Sequence, residues 1–164
     1  MRLWGRAGMT SADDVLAAIG GCAKLGSKHA IVDSLMCLDV ANDDFEAQRQ
    51  FARKLAAVSR VAGIHVHLVA HPRKLVSADQ ELDINDVAGA REIAGLADNV
   101  IFVRRKREES SGDASPMMIS IRKQRHGTGA LGDVVGWFHR KWKQFHVDQF
   151  PAGPIRYLPE DAYQ

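Results

Sequence analysis

Apolar residues along this chain fall into short runs that each end at a polar or charged residue. The run from Lys28 to Met36 reaches Asp33 after three apolar residues, and a second run, Ile64 to Ala70, ends at His71. Runs of this length bounded by polar residues favour parallel strands covered on both faces. In open α/β sheets, ligands bind outside the carboxyl ends of such strands. The pattern therefore predicts that Asp33 and His71 lie beside a ligand site.

Helical spacing of apolar residues separates these strands. The segments Thr10 to Leu25 and Asn42 to Gly63 each begin with capping residues and end at a glycine, as helices do. A third, shorter helix is predicted from Asp86 to Ala97. Alternation of helix and strand is typical of a parallel sheet with helical crossovers.

The second half of the chain has a different pattern. Asn99 to Val103 is a further predicted strand, and the charged stretch from Lys106 to Pro116 is a predicted exposed loop. Met117 to Ile121 and Val134 to Phe138 flank a glycine-rich turn, which predicts an antiparallel hairpin and so a mixed sheet. Prolines and aromatics beyond Arg140 predict an extended tail that packs its aromatic residues on the domain or on a neighbouring subunit.

Composition limits the possible functions only weakly. The chain has 164 residues, of which 46% are hydrophobic and 26% charged, and 22 basic against 20 acidic residues give a net charge of +2. One soluble domain without a strong overall field is expected, so any nucleic-acid contact needs a local basic patch. The candidate patches, each also explained by a solvated surface, are Arg104 to Arg107, Arg122 to Arg125 and Arg140 to Lys143.

The two cysteines and the absence of targeting signals favour a cytoplasmic protein. Cys22 and Cys37 fit no disulfide framework or zinc spacing, so both are read as reduced thiols. No apolar run approaches the ~20 residues that cross a bilayer. The first residues also lack the apolar region of a signal peptide.

The order of these motifs resembles the later part of the RecA-like motor domain of DnaB-family replicative helicases, especially the phage primase-helicases and their mitochondrial relative Twinkle. The resemblance covers roughly Leu3 to Phe145. The segments that carry it are KHAIVDSLM, VHLVAHPRK, DINDVAGAREIAGLADNVIFVRR and IRKQRHGTGALGDVVGWFH. It implies a three-layer α/β sandwich with a mostly parallel central sheet and a C-terminal antiparallel hairpin. Residues 1–145 would be a partial motor domain, and residues 146–164 an extended tail.

The resemblance also implies roles for individual residues. Asp33 matches the Walker B aspartate, which supports Mg²⁺ through water, and His71 matches a polar sensor of the γ-phosphate. Lys123 and Arg125 match a Lys-x-Arg pair that reaches the neighbouring subunit's ATP, with Arg125 as the arginine finger. The loop from Arg73 to about Ala88 matches a DNA-binding loop, in which Arg73 and Lys74 would contact phosphates of single-stranded DNA. The implied whole is a ring, hexameric in this family, that moves 5′ to 3′.

Two parts of that motor are absent from this sequence. No segment fits G-x-x-x-x-G-K-[ST], because Gly20-Gly21 leads only to Lys24, and Gly26-Ser27-Lys28 lacks the upstream glycine and strand. The family's catalytic glutamate lies upstream of the Asp33 strand. We therefore expect that the chain is a piece of a larger motor, and that alone it neither binds ATP tightly nor unwinds DNA.

Alternative interpretations remain open for the same residues. Taken alone, Asp33 is better explained as a helix cap or a turn former, and it is the repeated pattern at the strand ends that favours a ligand site. The chain could be a non-catalytic RecA-like module that binds DNA or caps a helicase ring and donates Arg125. A third possibility is a metal-dependent hydrolase, since strand alternation places His65 and His67 on one face, with His71 in the same parity and Asp33 on an adjacent strand.

Overall fold

The computed structural model describes residues 9–41, 43–72, 80–89, 91–106, 112–127, 129, 131–149 and 151–155. The chain divides into two compact units, residues 1–97 and residues 98–164. The predicted boundary near residue 145 between motor domain and tail stays a prediction.

The first unit alternates helices with two strands. Its regular elements are α1 (Ala12–Lys24), β1 (His29–Val32), α2 (Phe45–Ala62), β2 (His65–Leu68) and α3 (Arg91–Leu96), with short 3-10 turns at Leu35–Cys37 and Ile84–Asp86. The two long helices begin where the sequence predicts. Ser11 accepts a hydrogen bond from the Asp14 N–H, and Asp44 accepts one from the Ala47 N–H, so each caps its helix.

The strands β1 and β2 pair in parallel, with His29 opposite His65 and Val32 opposite Leu68. The inward residues of both strands pack on a core formed with α1 and α2, in which Phe51 is 2% exposed. The opposite face is exposed in the described part of the chain, where Ile31 is 72% accessible. The prediction that both faces are covered is therefore wrong for these residues, since burial alternates along each strand.

The third helix is shorter than its periodicity predicts. The Asp83 carboxylate caps the turn Ile84–Asp86, and Val87 then pairs with Pro72 in an antiparallel bridge. Gly89 has a positive φ of 97°, a conformation that interrupts a helix. For these reasons regular α-helix begins at Arg91 rather than at Asp86.

The second unit is a four-stranded antiparallel sheet in the order β3-β4-β5-β6. Its strands are β3 (Asn99–Arg105), β4 (Ala114–Gln124), β5 (Gly132–His139) and β6 (Gln144–His146). The predicted hairpin is confirmed as β4 and β5, which pair from Ala114 opposite His139 to Ile121 opposite Gly132. Strand β6 lies where an extended tail is predicted, and residues 156–164 lie outside the described residues.

One helical crossover, α2, joins the parallel strands β1 and β2, and an antiparallel sheet follows; this arrangement confirms the α/β fold class. In the part of the chain that the structure describes, no helix is both long and apolar enough to span a membrane.

Candidate functional site

Asp33 lies at the carboxyl end of β1, beside the end of β2. The parallel ladder continues past both strands, since the Val69 N–H donates to Val32 O and the Leu35 N–H donates to Val69 O, each at 2.9 Å. Asp33 is therefore level with Val69, and its side chain is exposed. Among the described residues no cationic side chain pairs with this carboxylate. An exposed carboxylate of this kind suits the water shell of a cation, and Mg²⁺ held through water at Asp33 stays a prediction.

His71 follows the end of β2, at the same edge of the parallel sheet as Asp33. Its carbonyl accepts a hydrogen bond from the Ala88 N–H at 3.0 Å, and Pro72 pairs with Val87. These two contacts close the base of the segment that the sequence assigns to DNA binding. Arg73 and Lys74 lie outside the described residues, so their predicted role stays a prediction.

Lys123 and Arg125 lie at the end of β4 in the second unit. Lys123 pairs with Val100 of β3, and the Arg125 N–H donates to Asp98 O at 2.8 Å, just beyond the last strand pair. The Arg125 guanidinium forms an ion pair with Asp98, with Nη1 3.2 Å from Oδ1. Burial and then the charge of Arg125 lower the pKa of Lys123, while Asp98 acts in the opposite direction. The two cations and the carboxylate thus form one electrostatic group.

Arg122 has a different role from its neighbours. Its Nη1 is 2.7 Å from Oδ1 of Asp133 across the β4–β5 hairpin, and this hydrogen bond lowers the pKa of the Asp133 carboxyl. Arg122 therefore belongs to a contact within the sheet, whereas Lys123 and Arg125 form a group with Asp98 at the end of β4.

Three histidines meet on the exposed face of β1 and β2. The ring centroids of His65 and His67 are 4.4 Å apart, and each lies 5.5 Å from His29. Within the described ranges, no group of three or more histidine, cysteine or acidic side chains is placed to hold a metal ion. The metal-hydrolase alternative thus gains no support from the structure.

Sequence reasoning overlooked Asp98 and His29. Asp98 directly precedes β3, so the pairing of β3 with β4 brings it beside Arg125. His29 begins β1, and the parallel register places it opposite His65. In both cases the contact depends on the register of the strands, and the spacing of apolar residues in the sequence does not specify that register.

The predicted site residues therefore form two groups. Asp33 and His71 follow neighbouring parallel strands of the first unit, and Lys123 and Arg125 share the end of one strand in the second unit.

Comparison with known proteins identifies structural but not sequence likeness. No protein-family model matches the chain, and no curated protein matches it. Among solved structures, a DnaB-like replicative helicase studied with its primase aligns with a TM-score of 0.70 and 19% identity over 87% of this chain. The KaiC-like protein PH0186 from Pyrococcus horikoshii OT3 aligns with a TM-score of 0.55 and 15% identity over 79% of this chain.

The chain spans 36% of the length of the DnaB-like chain and 54% of the KaiC-like chain. At these identities the likeness is one of fold. The chain has a RecA-like fold of the kind found in a DnaB-like replicative helicase.

Proposed function

We propose that this chain is the part of an ATP-driven DNA translocase that carries the Walker B carboxylate and the arginine finger. The observation that carries the proposal is the placement of Asp33 and His71 after neighbouring parallel strands of a RecA-like fold. This edge is where such sheets bind ligands. The likeness to a DnaB-like helicase favours a motor over the non-catalytic, ring-capping module.

In this proposal each residue has one task. Asp33 would hold the water shell of an Mg²⁺ ion bound to ATP, and such an ion would supply positive charge beside the phosphates. His71 hydrogen-bonds near the γ-phosphate at the end of β2. The remainder of the motor supplies the P-loop and the catalytic glutamate, so the chain alone is inactive.

Arg125 acts on ATP bound to the neighbouring subunit of a ring. Its guanidinium would stabilise charge that develops on the transferred phosphoryl group, an effect worth about 10³ to 10⁵ in rate in related enzymes. Lys123 adds a second positive charge beside it. Because each ATP site then needs two subunits, assembly is part of the mechanism.

The DNA contact is assigned to the segment that Pro72 and Val87 close. Arg73 and Lys74 would bind phosphates of single-stranded DNA without reading bases. Ionic contacts of this kind weaken steeply with added salt.

The decisive experiment is subunit mixing in the motor formed by joining this chain to a P-loop segment. Asp33→Asn and Arg125→Ala subunits should each retain only a small residual DNA-stimulated ATPase activity, about 10²-fold or more below the parent. Mixed in equal amounts, they should recover about one quarter of the parent activity, because an intact site needs Asp33 from one subunit and Arg125 from its neighbour. Arg53→Ala, an exposed arginine on α2, is the control and should retain parent activity.

Two results would refute the proposal. Parent-level activity of Arg125→Ala would exclude the finger, and failure of the mixture to recover activity would exclude a site shared between subunits.

A further inference from the structure

Asp98 holds Arg125 by two separate contacts. Its backbone oxygen accepts the Arg125 N–H at 2.8 Å, and its carboxylate oxygen Oδ1 lies 3.2 Å from Nη1 of the same arginine. The same Oδ1 lies 3.6 Å from Nε2 of His126. The residue that would reach another subunit is thus fixed in both its main chain and its side chain.

We propose that Asp98 is the positioning residue for Arg125, directing the guanidinium toward the nucleotide of the neighbouring subunit. This inference rests on the proposed function of Arg125. The hydrogen bond from the Arg125 N–H to the Asp98 backbone oxygen holds the main chain at the end of β4. The ion pair with the Asp98 carboxylate selects the orientation of the Arg125 side chain.

The exposure of the pair indicates orientation rather than stabilisation of the fold. The side chains of Arg125 and Asp98 are 40% and 50% exposed, and ion pairs in water contribute little to stability. A long arginine side chain has many rotamers, however. Restricting them in advance lowers the entropic cost of placing the guanidinium on the transferred phosphoryl group.

The charges around Asp98 are consistent with this role. Lys123 and Arg125 repel each other, and the carboxylate of Asp98 reduces that repulsion in part. The carboxylate therefore acts on both positive charges at this strand end, where a phosphate would need both. Without it, Arg125 would turn away from Lys123 into solvent.

The first test uses the chain as it stands. Nitrogen-15 NMR of the Arg125 side chain should show slow rotation of the guanidinium, and Asp98→Asn should make that rotation fast. The Arg125 amide should stay protected from exchange in this variant, because its acceptor is a backbone oxygen. Asp113→Asn, an exposed aspartate of the same unit, is the control and should change neither signal. Fast rotation in the parent chain would overturn the proposal.

The second test measures ATPase activity in the joined motor. Asp98→Asn should lower kcat by about 5- to 50-fold while KM for ATP stays within about twofold, because misplacement affects the transition state more than binding. Asp98→Glu should recover part of the loss. The double variant Asp98→Asn with Arg125→Ala should be no slower than Arg125→Ala alone, since Asp98 acts through that arginine.

Each other outcome has a definite meaning. Unchanged or increased kcat in Asp98→Asn, or additive losses in the double variant, would overturn the positioning role while leaving the finger intact. Parent-level activity in Arg125→Ala would instead overturn the proposed function itself.

Discussion

The imidazoles of His29 and His67 meet across the parallel strands β1 and β2, with Nδ1 of His29 3.2 Å from Nε2 of His67. A hydrogen bond at this distance needs one nitrogen to donate and the other to accept. If both rings become charged, both nitrogens carry protons and the contact becomes repulsive.

Low pH should therefore lower the free energy of unfolding of the first unit, because His67 takes up a proton more readily when the chain is unfolded. Burial, and next the charges of His65 and His29, lower the pKa of His67 below its ordinary value of 6.5. The unfolded chain then binds a proton more readily than the folded chain, so stability is full above pH 6.5 and falls as the pH drops through that value toward the lower folded pKa.

Urea unfolding between pH 8 and pH 5, at about half-unit steps, measures this effect. His67→Gln should lose less stability with acid than the parent chain, while Val61→Thr, at an exposed and non-titratable position of α2, is the control and should keep the parent slope. Equal pH slopes for parent and His67→Gln would contradict the prediction.

Phe51→Ala should unfold the first unit far more readily than Phe45→Ala. Both phenylalanines lie on α2, but Phe51 is 2% exposed in the core and Phe45 is 51% exposed. Removing a buried phenylalanine costs about 3 to 5 kcal/mol, since it leaves a cavity. The exposed change should cost less than about 1 kcal/mol. Chemical denaturation measures both, and similar losses would place the core elsewhere.

Gly136→Val should destabilise the sheet of the second unit by about 1 to 3 kcal/mol through overpacking. A Cβ at Gly136 would lie 2.8 Å from Cε1 of Phe145 and 3.1 Å from the backbone oxygen of His146. Hydrogen exchange should show that β6 loses protection first. Gly20→Ala in α1 is the control, because among the described residues no atom outside its chain neighbours and its own helix backbone lies within 4 Å of the added Cβ. Retained β6 protection in Gly136→Val would contradict the packing.

Asp33→Asn in the joined motor should lower Mg²⁺-dependent kcat by about 10²-fold or more while nucleotide affinity changes far less. The reason is that the carboxylate would serve the metal's water shell during phosphoryl transfer rather than hold the nucleotide. Steady-state kinetics and nucleotide titration separate these quantities, with Asp39→Asn as an exposed control. Equal losses in rate and affinity would favour a structural role for Asp33.

Local features of the fold are readable from the sequence because their causes are local. The caps Ser11 and Asp44 precede the helices that they begin, and alternating residues around the glycine-rich turn specify the β4–β5 hairpin. The carboxyl-end positions of Asp33 and His71 follow from the ends of two apolar runs.

Features of the fold that depend on contacts between distant segments cannot be predicted from local sequence patterns. The start of α3 is moved by the pairing of Val87 with Pro72. Strand register brings His29 to His67 and Asp98 to Arg125, and neither contact has a periodic signature. Exposure of Ile31 likewise depends on what covers the sheet rather than on its own strand.

The antiparallel bridge between Pro72 and Val87 connects the last part of the intervening segment, here called the limb, to the end of β2. Leu82 in that limb is buried, with 3% of its surface exposed, and the Ala88 N–H donates a hydrogen bond to the His71 carbonyl. A force applied to the limb would therefore reach the end of β2 directly, through the Pro72–Val87 bridge and the Ala88–His71 hydrogen bond.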